Sequence, residues 1–314
     1  GCIDPGSEDA PDRVRADTST DATTESEPSG DTSTPGPPTP PTNLLLITID
    51  TLRWDRAPGM PWLAEVSGTG LVLGNSWGQS WTYPGMGSVL TGQPPSAWGA
   101  ESWATGGSAL YVLAEDIPTL AERLSATHVS YLASGNDFVG PAAGIGRGYD
   151  VAVVESDGQV VDHAPALAEW VADQTTPWFA HLHVMEPHAP YDNAAESCRA
   201  DLEAAGNSRC RYDVTSDNAE AQLQNDLASG ELTESSGDYQ ACVSALTTAY
   251  DCGVRHADDS LRAALWDPLE AGGHLADALV VIATDHGEGL LDPTVSHGTD
   301  SRAPITCGFA AILG

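Results

Sequence analysis

The sequence predicts an α/β fold, a mostly parallel central sheet flanked by helices. Three observations carry this. Unbroken apolar runs such as NLLLITI (43–49) and DALVVIAT (277–284) suit strands buried on both faces. Stretches of helical periodicity alternate with such runs, the pattern of βα units. Asp50 follows the first run directly, and Asp285 and His286 follow the last, which places them on the carboxyl rim where open α/β sheets carry their sites.

The elements follow in order. Residues 1–42 are rich in Ser, Thr, Pro, Asp and Glu and end in STPGPPTPPT. No core can form from them, so they are expected to be a disordered tether, extended where Pro is dense. Residues 43–314 are expected to hold the folded domain, opening with the strand 43–49. LVLGNSW (71–77) is a weaker strand, IPTLAERLSA (117–126) an amphipathic helix, and HVSYLAS (128–134) the strand after it. DHAPALAEWVADQ (162–174) is a helix leading into the strand WFAHLHV (178–184). Residues 237–266 read as one long helix, with Tyr239, Val243, Leu246, Tyr250 and Val254 near helical spacing. The strand 277–284 follows, and ITCGFAAILG (305–314) begins another.

The chain of 314 residues is 41% hydrophobic, enough for a sizeable core, and carries a formal charge of −33. All of its 12 basic residues are Arg. Such acidity argues against nucleic acid, whose phosphates it would repel, and against electrostatic docking on anionic lipid. No run of about 20 apolar residues is present to span a bilayer as a helix. The opening Gly-Cys followed by a polar tract resembles the end of a bacterial lipoprotein signal peptide, with Cys2 lipidated; an arbitrary chain start is the alternative. The first reading makes the protein an exported cell-envelope lipoprotein that touches membrane only through its lipid.

Cys198, Cys210, Cys242 and Cys252 cluster, which fits two disulfides in an exported protein. On one helix, Cys242 and Cys252 would lie roughly 15 Å apart at about 1.5 Å per residue. A disulfide needs Cα atoms within about 7 Å. Each is therefore expected to pair with a loop cysteine, Cys198 or Cys210, and Cys307 is left over in the core.

Asp50, Asp285 and His286 form a reasonable set for a divalent metal. Here the chain resembles the sulfatase family of the alkaline phosphatase superfamily. NLLLITIDTLRWDR is similar to the family's opening strand and first metal ligand. TYPGMGSVLTG stands where the family has its nucleophile motif, Cys/Ser-x-Pro-x-Arg. HVMEPHAPYD (183–192), YDCGVRHADDSL (250–261) and ATDHGEGLLDPTVSHG (283–298) match later blocks in order. The resemblance implies a metal held by Asp50, Thr82, Asp285 and His286, with Ca²⁺, Mn²⁺ or Zn²⁺ as candidates. It implies that His183, His188 and His297 hold substrate oxygens or protonate the leaving group. It also implies a C-terminal subdomain that this chain lacks, so the domain is expected to be incomplete at that end.

Two substitutions bear on the chemistry. Sulfatases of this family use a formylglycine made from Cys or Ser, and Thr82 is neither; Met86 replaces the motif Arg. No formylglycine is expected. A Thr hydroxyl can still attack if a metal lowers its pKa. Pro84 fits a first helical turn, which puts Thr82 near a helix N-terminus, an end that favours anions. Trp98 stands where relatives often carry a basic residue, and no Lys can clamp an anion. The expected function is a metal-dependent hydrolase of sulfate or phosphate esters, on a small-molecule or glycan substrate. The alternatives are a phosphoglycerol- or phosphoethanolamine-type transferase using Thr82, and a binding module that retained the fold. The acidic loop 192–237 is the expected specificity element and disfavours polyanions.

Overall fold

A computed structural model of the chain describes residues 41–73, 76–77, 79–98, 112–192, 198–205, 210–216, 218–291, 307–308 and 310–313. The strands are β1 (Asn43–Ile49), β2 (Leu71–Val72), β3 (Ser76–Trp77), β4 (Val129–Ser134), β5 (Val151–Val154), β6 (Trp178–Val184), β7 (Ala278–Thr284), β8 (Cys307–Gly308) and β9 (Ala310–Leu313). The α-helices are α1 (Pro61–Ser67), α2 (Thr82–Thr91), α3 (Leu120–Leu124), α4 (Val160–Ala172), α5 (Arg199–Ala205), α6 (Ala219–Ser229), α7 (Gly237–Leu261) and α8 (Asp267–Ala271).

Seven strands form one sheet in the order β2-β9-β7-β1-β6-β4-β5. β1 lies at its centre, parallel to β6 on one side and β7 on the other. β4 and β5 continue in parallel, whereas β9 runs antiparallel to β7 and β2 antiparallel to β9. The sheet is thus mostly parallel, as predicted. Alternation along β1 explains its two layers. Leu45, Ile47 and Ile49 face one core, shared with Trp62 and Leu63 of α1, Leu167 of α4 and Leu246 of α7. Leu46 faces the other, with Tyr83, Met86 and Leu90 of α2 and Phe179 of β6. Each such fully buried side chain contributes roughly 1.5–3 kcal/mol relative to exposure.

Boundaries differ where tertiary pairing decides them. The stretch predicted as one strand, 71–77, is two short pieces: β2 pairs with β9 and β3 with β8. The helix predicted over 117–126 is shorter, because Thr119 and Glu122 close a capping box that starts α3 at Leu120. The helix predicted over 162–174 starts earlier, at Val160, whose N–H donates to Glu186 Oε1 at 2.6 Å. The helix predicted over 237–266 is α7 followed by a π-helical turn, Arg262–Trp266, and then α8. Pro268 cannot supply the N–H an unbroken α-ladder would need there.

Two disulfides join the α7 cysteines to their surroundings, Cys198–Cys252 and Cys210–Cys242, with Cα separations of 6.0 and 4.6 Å. This settles the pairing that helical spacing alone left open. Cys2, the tether up to residue 40 and the Cys307 side chain lie outside the described residues. At the start of the described chain, the Thr42 hydroxyl and N–H donate to the Asp277 carboxylate, so Thr42 belongs with the sheet.

Candidate active site

The strands deliver the predicted residues to one rim. Asp50 follows β1, Asp285 and His286 follow β7, and His183 lies near the end of β6. Thr82 opens α2 after extended Trp81. Pro84 sits in the first turn, where its missing N–H costs nothing. Gly85 lets this helix end close onto the β7 turn, since a Cβ there would meet the Asp285 carbonyl oxygen at 2.6 Å.

The turn after β1 is itself held against strain. Thr51 has φ +58°, an uncommon value for a β-branched residue. Its N–H donates to Asp285 Oδ1 at 3.4 Å, and its carbonyl accepts from the Tyr250 hydroxyl at 2.7 Å. Arg53 ties the same turn to the β7 loop by donating to the Glu288 carbonyl at 3.2 Å.

Around Asp50 the groups converge. Its Oδ2 accepts from the Thr82 hydroxyl at 3.2 Å and from Asn136 Nδ2 at 3.0 Å, and lies 3.2 Å from His183 Nε2. His286 Nε2 is 3.2 Å from Asp50 Oδ1, 3.5 Å from Asp285 Oδ2 and 3.4 Å from Thr82 Oγ1. Asp50, His183, Asp285 and His286 are all completely or almost completely buried. Burial would raise the Asp50 carboxyl; the charge of His188 and hydrogen bonds from His183 and His286 outweigh it and hold the group well below its usual range. Asp285 moves the other way, raised by burial and by the neighbouring Asp50 charge. His286 is raised to about 10, because the charge of Asp285 and the hydrogen bond and charge of Asp50 overcome its burial. Two acids and a histidine that holds its proton therefore share one buried space.

The residues present fit a divalent cation. Asp50 Oδ1 and Asp285 Oδ2 are buried and have no hydrogen-bond partner, although His286 Nε2 lies within ion-pair distance of both. Buried carboxylate oxygens are seldom left so, and a cation satisfies them. Ligand atoms of Asp50, His183 and Asp285 lie within 4.8 Å of one another. Oxygen donors with one or two imidazoles suit Mn²⁺ or Zn²⁺, and Ca²⁺ less well.

Other predicted residues are placed as follows. His188, half-buried, lies in the loop after β6, with Nδ1 2.5 Å from the Ala189 carbonyl oxygen. His297 lies outside the described residues. Met86 is fully buried in the α2-side core, so an apolar cluster occupies the motif's Arg position. Trp98 packs edge-on against Tyr83, with centroids 5.5 Å apart. Sequence reasoning missed Asn136, which also reaches Thr82 Oγ1 at 3.4 Å. Its only signal was its position just beyond a strand end.

The mostly parallel sheet, with this cluster on its carboxyl rim, has the α/β architecture of the alkaline phosphatase and sulfatase class. The chain belongs to the Sulfatase family, which matches residues 42–304. Solved structures share the fold. A 2-O GAG sulfatase is 16% identical with a TM-score of 0.59, over 88% of this chain and 64% of its own. The phosphonate monoester hydrolase of Agrobacterium radiobacter is 18% identical with a TM-score of 0.60, over 87% of this chain and 68% of its own. A protein solved with D-glucosamine-2-N,6-O-disulfate as its substrate is 13% identical with a TM-score of 0.62, over 88% of this chain and 71% of its own. This chain thus spans about two thirds of the length of these structures. No curated protein matches the chain.

Proposed function

We propose that the protein is a metal-dependent hydrolase of sulfate or phosphate-type esters that uses Thr82, unmodified, as its nucleophile. The observation that carries this is the position of Thr82 Oγ1 at the start of α2, 3.2 Å from Asp50 Oδ2 and 3.4 Å from His286 Nε2, beside two buried carboxylate oxygens that accept no hydrogen bond. Asp50, Asp285, His286 and Thr82 would hold the cation. When bound, a divalent cation supplies the Lewis acidity that lowers a hydroxyl pKa and offsets anionic charge.

The chain's own groups then divide the work. Thr82 Oγ forms the bond to phosphorus or sulfur as the ester bond to the alcohol breaks. Thr82 loses its proton to solvent before attack; His188, with His297 as the other candidate, protonates the departing oxygen and takes a proton back from the water of the second step. Water then cleaves the Thr82 ester. The N-terminus of α2 favours the transferring anion. Asn136 holds Asp50 and Thr82 in register. A transferase would hand the same group to a second alcohol, and Thr82 favours that reading as the next one to test. The substrates of the similar structures, a sulfated glucosamine among them, make a small-molecule or glycan ester the class to assay first.

The two disulfides support an oxidising location, in keeping with an exported protein tethered through residues 1–42 and lipidated at Cys2. The decisive experiment compares wild type and Thr82→Ala on aryl sulfate, phosphate monoester and phosphate diester substrates, with and without glycerol as acceptor. Turnover by wild type and background rates for Thr82→Ala support the reading. Unchanged turnover in Thr82→Ala would remove Thr82 as nucleophile, and transfer to glycerol in place of water would favour the transferase.

A further inference from the structure

An aromatic cluster stands beside the nucleophile position. Trp81 directly precedes Thr82 and holds the extended conformation from which α2 starts. Its ring lies 5.6 Å from that of Phe138, edge-on, and 5.8 Å from that of Tyr83. Phe138 also meets Tyr83 edge-on, at 6.4 Å. Tyr83 is buried and backed by Trp98, so it forms the base of the cluster. Trp81 is half-buried, and Phe138 is 40% exposed. Among the described residues, Phe138 is the one exposed aromatic. Asn136 ties this cluster to the reacting groups. It follows β4 and opens the single 3-10 turn Asp137–Val139. Its Oδ1 accepts from the Phe138 N–H at 3.0 Å, while its Nδ2 donates to Asp50 Oδ2 at 3.0 Å and reaches Thr82 Oγ1 at 3.4 Å. Val139, on the same turn, is buried in the α2-side core with Tyr83. The exposed ring is thus anchored on the carboxyl rim by the amide that also holds Asp50 and Thr82.

We infer that Trp81 and Phe138 form a wall for the alcohol part of the substrate, and that they select an ester whose alcohol is an uncharged ring. The inference rests on the reading of Thr82 as the nucleophile. In-line displacement sends the alcohol away from the attacking oxygen. Thr82 is only 3% exposed, so the alcohol extends out of the buried cluster and over the rim. The rings of Trp81 and Phe138 stand there, next to Thr82 in the chain and one amide away from it in space. Aromatic faces and edges hold a second ring with centroids about 4.5–7 Å apart, the spacing this cluster already uses within itself.

Charge points to the same occupant. The chain has no Lys to hold a second anionic group on the alcohol. Arg53, the Arg nearest to Asp50 in the chain, is engaged by the Asp55 carboxylate and the Glu288 carbonyl. Asp137, next to Phe138, is exposed, and its carboxylate repels a second anion at the wall. What remains for recognition of the alcohol is ring-on-ring contact, which a neutral ring satisfies and a short alkyl group does not.

The test is calorimetric binding of phenylphosphonate and methylphosphonate to the full chain in the presence of Mn²⁺. Neither probe carries an ester bond to break. Wild type is expected to bind phenylphosphonate roughly 3–10-fold more tightly, the size of one aromatic pair. Phe138→Ala should bring that ratio towards one, and Phe138→Trp should keep it. A merely structural role for Phe138 would weaken both probes alike and leave the ratio unchanged. Phe138→Leu, which keeps an apolar side chain on the turn, takes the place of Phe138→Ala if that variant unfolds. Equal affinities in wild type, binding of neither probe, or a ratio that survives loss of the ring would overturn the inference. So would tighter binding of 4-sulfophenylphosphonate than of phenylphosphonate, since the wall would then welcome a second anion. Cyclohexylphosphonate sorts an aromatic ring from a saturated one such as a sugar, and preference for either ring over methyl supports the wall. These affinities need no turnover. A ring preference that depends on Phe138, without ester hydrolysis, would sink the functional reading and leave the wall standing. Hydrolysis with no such preference would sink the wall alone.

Discussion

Glu186 shows how a single residue can set the pH range of this fold. It is fully buried in the turn between His183 and His188, and its Oε1 caps the first N–H of α4 while Oε2 has no partner. Burial raises it from 4.5 to about 7, with the Val160 N–H opposing and the Asp162 charge adding. Because the folded value lies above the unfolded one, the folded state binds the extra proton between the two. Its stabilisation is complete below 4.5 and is lost as pH rises through about 7. The loss amounts to up to about 3 kcal/mol at 1.36 kcal/mol per pKa unit. Thermal melts should therefore fall between pH 5 and pH 8, and Glu186→Gln should flatten that slope. An equal slope in the variant would assign it to other groups. At the same scale, His188→Gln should lower turnover by roughly 10²–10⁴-fold, the usual range for a general acid. A leaving group of low pKa should rescue most of the loss, and failure to rescue would remove His188 from proton transfer.

Elements here are fixed as much by distant side chains as by their own residues. Helix α1 has no side-chain cap of its own, since Met60 stands at its N-cap position. Asp258 of α7 supplies it instead, accepting from the N–H groups of Trp62 at 2.9 Å and Leu63 at 3.0 Å. Asp258→Ala would leave two buried donors unpaired, at about 1–3 kcal/mol for an unsatisfied group. Denaturant melts should show that loss, and a change under 0.5 kcal/mol, the ordinary surface value of about that size, would contradict the cap. This also marks what a sequence can and cannot tell. The runs 43–49 and 178–184 were legible as strands to the residue, because a strand buried on both faces carries apolar residues at successive positions rather than in alternation. The cap from Asp258 was not legible, because it joins positions 196 apart. The meeting of Asp50, Asp285 and His286 was legible because the strands that carry them end on one rim. Asn136 was not, because a lone Asn after a strand looks like any turn residue. The contacts of Thr48 Oγ1 with His181 Nε2 at 2.9 Å and His183 Nδ1 at 2.8 Å left a trace, two His in one strand, whose meaning depends on a register that only pairing with β1 supplies.

For the whole molecule, charge sets the terms on which an anionic substrate arrives. A net charge of −33 without Lys repels sulfate and phosphate esters at long range. Raising ionic strength from about 0.01 M to 0.1 M shortens the screening length from about 30 Å to 10 Å. The kcat/KM for an anionic ester should therefore rise over that interval, the reverse of the trend in a basic, steering enzyme. A fall would mean that a local cationic funnel dominates. Once the substrate arrives, everything rests on the dry cluster at the end of β1 and β7. Two of its carboxylate oxygens, Asp50 Oδ1 and Asp285 Oδ2, accept no hydrogen bond and face His286 Nε2 at ion-pair distance, and the central claim is that a divalent cation completes them and makes Thr82 reactive. The most direct measurement is turnover of an aryl phosphate and an aryl sulfate by chelator-treated protein, before and after Mn²⁺, Zn²⁺ or Ca²⁺ is restored. The account predicts no turnover before, recovery with at least one cation, and none with any cation in Thr82→Ala. Equal turnover without cation, or no turnover with any of them, would contradict it.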